Sequence, residues 1–158
     1  MKHTISCMVE NKFGVLARVA GLFSSRGFNI TSLEVGETED PTVSRMTIVV
    51  DADDRILEQV IKQLLKLIDV IKVTDLTGKD SVSRELILSK VDVKDVSARA
   101  EITQIVEQMK AKVADADQKS MIIEMTGQEK ETGKLLELLK PFGIKELART
   151  GMMSMVRK

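Results

Sequence analysis

The segment Asn11-Lys12-Phe13-Gly14-Val15-Leu16 lies between a stretch of alternating hydropathy and one of helical spacing, so a helix's first-turn amides open onto it. Such amides form a ready anion site. Gly14 allows a ligand close to the backbone, and Asn11 adds an uncharged amide that both donates and accepts. Together they suit a small carboxylate. Phosphate fits less well, because no Lys-Ser or Lys-Thr follows a glycine pair as a P-loop requires. Asn11 and Gly14 also read as plain turn and cap residues, and spacing by itself favours that reading. A second candidate, Arg26-Gly27-Phe28-Asn29-Ile30, marks a helix-to-strand return where Asn29 would tolerate positive φ. It gains a binding role only if something brings it to the Asn11 loop.

Little else offers chemistry. Cys7 and His3 are the only residues of their kinds, which removes internal disulfides, Cys/His zinc sites and most nucleophile–base pairs. Cys7 alternates with Ile5 and Val9 and reads as a small buried hydrophobe, whereas His3 reads as a solvated terminal residue. Asp115 with Asp117, and Glu129 with Glu131, read better as turns and solvated helix faces than as catalytic pairs. Asp51, Asp53 and Asp54 lack the glycine and distant Glu of a calcium loop. No metal or catalytic residue is expected. Met121 and Met125 read as core filler, while Met152, Met153 and Met155 suit either packing or docking.

The 158 residues are 43% hydrophobic and 30% charged, which suits a globular chain and excludes a disordered one. With 24 Lys and Arg against 24 Asp and Glu, no positive field exists to draw nucleic acid. Aromatics are 3%, all of them Phe, so base-stacking platforms are missing too. No stretch has the length of a membrane span, and a cytoplasmic location is expected.

The elements that would position the two loops follow from periodicity. Ile5, Cys7 and Val9 mark a strand; Val15, Leu16, Val19, Leu22 and Phe23 a helix; Leu33 with Val35, and Met46, Ile48 and Val50, a hairpin. Asp53 or Asp54 caps a helix with apolar positions from Ile56 through Leu64, Leu65 and Ile68, and Val70 to Leu76 forms a strand. This β-α-β-β-α-β order is the ferredoxin-like arrangement, an antiparallel sheet with both helices on one face. After the polar break at Gly78-Lys79-Asp80-Ser81 the order recurs, ending in a strand from Ile144 to Ala148. The expected fold is α+β, with ferredoxin-like βαββαβ domains at 1–77 and 78–158.

Asn11-x-x-Gly14-x-Leu16 and Gly27-Phe28-Asn29-Ile30 resemble an ACT domain, an amino-acid-sensing module. More narrowly, Phe23 to Leu33, Asp40 to Ile48, Ser83-Arg84-Glu85-Leu86 and Ala148-Arg149-Thr150-Gly151 resemble the small regulatory subunits of acetolactate synthase, over nearly the whole chain. The resemblance implies a non-catalytic homodimer that activates a thiamine-diphosphate-dependent large subunit and transmits feedback inhibition by valine in branched-chain amino acid biosynthesis. Thiamine diphosphate, Mg and FAD are then expected only on the catalytic partner. It further implies an effector site where Asn11, Gly14 and the amides of Val15 and Leu16 of one chain face Asn29 and Ile30 of the other. Phe13 departs from the family pattern, which often has Pro or a small residue there. Replacing Gly14 by Asp is expected to block this site while the helix tolerates the new carboxylate. The alternatives are a free-standing ACT-type sensor of another enzyme and a small enzyme on the same scaffold.

Overall fold

In the computed structural model, which describes residues 1–158, β1 (Lys2–Glu10) is the hinge of the first unit's architecture. Its residues His3, Ile5, Cys7 and Val9 all point inward and are buried. A strand with one apolar face must sit inside a sheet, and β1 does. It pairs antiparallel with β3 (Val43–Asp51) on one side and β4 (Val70–Asp75) on the other, so that Cys7 lies between Met46 and Val73. Adding β2 (Ile30–Glu37) beside β3 gives the order β2-β3-β1-β4. The helices α1 (Val15–Ser25) and α2 (Asp54–Leu64) close the core, burying Val15, Val19 and Phe23 from α1 and Leu57, Val60 and Leu64 from α2.

The second unit repeats the design with different residues. Its strands are β5 (Ser81–Asp92), β6 (Lys112–Ala116), β7 (Ser120–Gly127) and β8 (Ile144–Arg149), in the order β6-β7-β5-β8, all antiparallel. Relative to the chain this is the order of the first sheet. Helices α3 (Val96–Gln108) and α4 (Glu129–Leu139) supply Ile102, Val106, Leu135 and Leu139 to a core that includes Met121, Ile123 and Met125. The α+β, twice ferredoxin-like fold expected from periodicity is therefore present, with two methionines as core filler.

Three local readings change. His3 is 1% exposed, not solvated: its Nε2 lies 3.0 Å from the Ala52 carbonyl and its Nδ1 3.3 Å from Thr77 Oγ1. The inward alternation of β1 extends one residue further than its apolar members reveal. Ile68 is 94% exposed, because α2 stops at Leu64 and the stripe does not continue past it. A ninth strand, β9 (Met153–Val156), follows the last expected one and pairs with β5. The compact units comprise 1–82 together with 152–158, and 83–151. In the first of them the Met152 amide donates to Ser32 Oγ at 3.1 Å, and Arg157 Nε lies 2.9 Å from Asp80 Oδ1.

Candidate functional site

The β1–α1 loop ends on Gly14, the N-cap of α1, with φ 80° and ψ −3°. That left-handed backbone is nearly strain-free only for glycine. Gly14 supplies no side chain to cap the helix, and the first turn of α1 holds no acidic residue. Every other α-helix is closed by its own side chains: Asp53 accepts from Ile56 N at 2.8 Å, Asp95 accepts from Ala98 N at 2.7 Å, and Gln128 with Glu131 forms a capping box. At α1 the Val15 amide lies 3.4 Å from the Lys12 carbonyl. The next two amides, of Leu16 and Ala17, are left without an acceptor. The amides left open to an anion are thus those of Leu16 and Ala17, that of Val15 being turned to the Lys12 carbonyl.

Asn11 ties this loop to the hairpin between β2 and β3. Its Nδ2 donates to the Pro41 carbonyl at 2.9 Å and to Glu37 Oε1 at 3.4 Å, and its backbone amide donates to the Thr42 carbonyl at 2.7 Å. Oδ1 remains to accept, the right polarity for an ammonium group. Lys12 Nζ sits 2.7 Å from Glu10 Oε2, a contact that raises its pKa, and Phe13 projects into solvent. Leu16 is exposed as well, so apolar surface borders the open amides.

Asn29 and Ile30 stand at the other end of α1. The helix stops through Gly27 at φ 70°, with Gly27 N donating to the Ser24 carbonyl and Phe28 N to the Phe23 carbonyl, the two bonds of a Schellman motif. Positive φ is taken by Gly27 and not by Asn29, contrary to the turn reading of the latter. Asn29 is exposed and makes no hydrogen bond, which leaves it without a conformational task. The eleven residues of α1 span about 16 Å at 1.5 Å per residue. One protomer therefore brings Asn11, Gly14, Val15 and Leu16 together and holds Asn29 and Ile30 apart from them.

One charged group at the loop went unnoticed in the sequence. Arg18, one turn into α1, directs its guanidinium back toward Gly14, and both Nε and Nη2 lie 2.7 Å from Asp69 Oδ2. A Cβ on Gly14 would stand 3.1 Å from Arg18 Nη1. Its signal was a basic residue four positions after the glycine, at the end of a helix where cations are disfavoured.

Two acidic groups of the second unit have structural partners. Asp117 accepts from the amides of Lys119 and Ser120, which hold its carboxyl below the usual range. Glu85, nearly buried, receives Arg149 Nη2 at 2.7 Å and Nε at 3.2 Å along with the Thr132 hydroxyl. Burial pushes the Cys7 thiol up to about 11. No helix is long and apolar enough to cross a membrane.

Known sequences and structures agree with this organisation. The description "AHAS small subunit-like ACT domain" matches residues 5–72, and "Small subunit of acetolactate synthase" matches residues 84–158. A probable acetolactate synthase small subunit of Archaeoglobus fulgidus is 54% identical over 157 residues, covering 99% of this chain and 98% of its own length. The small subunit of Mycobacterium bovis is 52% identical, covering 98% of this chain and 92% of the relative. The crystal structure of the Thermotoga maritima small subunit superposes with a TM-score of 0.90 at 41% identity, covering 100% of this chain and 98% of that one. Full-length identity and matching topology together place the chain in the family of acetolactate synthase small subunits, the regulatory partners of that enzyme.

Proposed function

We propose that this chain is a non-catalytic homodimer that activates the acetolactate synthase large subunit and makes it sensitive to valine, the effector binding where two ACT domains meet. The observation that carries the reading is the uncapped first turn of α1, where Gly14 leaves the Leu16 and Ala17 amides open beside exposed apolar surface. A free amino acid offers what this turn lacks: a carboxylate for the amides, an ammonium for Asn11 Oδ1 and an aliphatic side chain for Leu16. Valine is only several ångströms long, so it cannot touch both ends of an α1 about 16 Å in length. A twofold pairing solves this by setting Asn29 and Ile30 of one chain against Asn11 and Gly14 of the other, with two equivalent sites per dimer. Activation and inhibition are then linkage: valine shifts the catalytic partner by its differential affinity for two arrangements, typically ~1–3 kcal/mol. Thiamine diphosphate, Mg and FAD belong on the catalytic partner in this reading, and branched-chain amino acid synthesis in the cytoplasm is its setting.

The test is a mixed dimer of Asn11→Ala and Asn29→Ala chains, titrated with valine by calorimetry. Shared sites leave one site intact and one doubly damaged, so half of the sites keep full affinity. If each site belonged to one chain, both would be singly damaged and no full-affinity site would survive, which ends the interface reading. Acetolactate formation by the isolated chain would end the non-catalytic one.

A further inference from the structure

We propose that Arg18 is the charged anchor of the effector's carboxylate and that Asp69 is the residue that positions it; this rests on the effector reading above. A cation is out of place at the N-terminal end of a helix, where the backbone dipoles already present positive charge. Arg18 is nevertheless there, since side chains of a helix lean toward its N-terminus and carry the guanidinium back over the first turn. Asp69 is nearly buried, with its side chain 10% exposed, and its backbone carbonyl accepts from Glu10 N at 2.8 Å. It is therefore a fixed post between α2 and β4. Nε and Nη2 of Arg18 are committed to Oδ2 of this post, each at 2.7 Å.

Nη1 makes no hydrogen bond and faces Gly14. Two N–H groups of a guanidinium held by Asp69 thus stand against Gly14, the residue that leaves the Leu16 and Ala17 amides unpaired, and all of them want an anion. The single Asp69 carboxylate balances the Arg18 charge but not the helix terminus. The glycine requirement at position 14 acquires a second cause here, because any side chain would press on Nη1 at 3.1 Å as well as strain the backbone. The arrangement selects for a carboxylate, not merely for an aliphatic amine.

The experiment compares valine with valinamide, which lacks the carboxylate, by calorimetry on the wild type, Arg18→Gln, Arg18→Lys and Asp69→Asn. The wild type is expected to prefer valine strongly. Arg18→Gln should weaken valine roughly tenfold or more while leaving valinamide unchanged, so the preference collapses. Asp69→Asn should reduce the preference by less, since charge is kept and position lost. A purely structural Arg18 would weaken both ligands alike and leave their ratio intact, and that result overturns the proposal. Should Arg18→Gln fail to fold, Arg18→Lys carries the test: it retains the charge without the two-point hold and should also lower the ratio. If the wild type bound no valine at all, the effector reading itself would fall, and this inference with it.

Discussion

The two units share one topology yet treat the loop after their first strand in opposite ways. In the second unit, Asp95 turns its own carboxylate onto the first turn of α3 and the helix is complete. In the first, Gly14 contributes nothing and α1 stays open. The same fold position is thus closed by the chain in one unit and left for something else to close in the other. Ion pairs differ in the same sense. Glu85 engages Arg149 through both of its oxygens and also takes the Thr132 hydroxyl, whereas Asp69 holds Arg18 through Oδ2 alone. What separates the two units here is not the scaffold but one unfilled set of donors.

The strongest way to break this contrast is to close the open turn. Gly14→Asp should weaken valine binding at least ~100-fold by occupying the carboxylate's place, and should cost the first unit about 1–2 kcal/mol because of its left-handed backbone. The helix terminus and Arg18 would welcome the charge, but φ 80° would not welcome a side chain, so the tolerance expected from first-turn preferences alone does not hold. Calorimetry combined with thermal unfolding checks both parts; a mutant of wild-type stability that still bound valine would refute it.

Removing the completed pair of the second unit comes next. Arg149→Ala strands a nearly buried Glu85 and should cost about 2–3 kcal/mol, below a fully buried pair because Arg149 is partly exposed. Faster hydrogen exchange of β5 and β8 amides, with valine affinity unchanged, is the expected signature. Asp95→Ala then opens α3 at a cost of about 1 kcal/mol. It should confer no valine site, since Arg99, the residue at the place of Arg18, donates its Nη2 to the Asp117 carbonyl instead; a new binding event in calorimetry would show that an open turn is enough.

The smallest effect concerns Asp117. Because its carboxyl is held below the ordinary Asp range by two amides, its contribution to stability is present above the unfolded-state value and is lost as pH falls through the depressed one. Asp117→Asn should therefore be less stable than wild type near neutral pH, with the gap closing in acid. Denaturant midpoints at the two pH values measure it, and a gap independent of pH would refute the assignment.

Most of the architecture was legible because strands with one apolar face and helices with one apolar stripe leave different periods, as Ile5-Cys7-Val9 and Leu57-Val60-Leu64 do. β9 was not, and the reason is physical. Its buried member is Ser154 while Met153 and Met155 face solvent, so its hydropathy is inverted. His3 was hidden similarly, as a polar residue on an inward face satisfied by Ala52 and Thr77. At the site, Asn11 and Gly14 were readable from type and spacing, but Arg18 depends on Asp69, fifty-one positions away, and no local pattern announces that pair.

The return of residues 152–158 to the first unit has a consequence for the order in which the protein can be made. Residues 83–151 leave the ribosome before Met152 and Arg157, which bond to Ser32 and Asp80 in the first unit, exist. The first unit therefore gains its last hydrogen bonds only after the whole of 83–151 has been synthesised. The amino-terminal unit is thereby the last to have its full sequence in place.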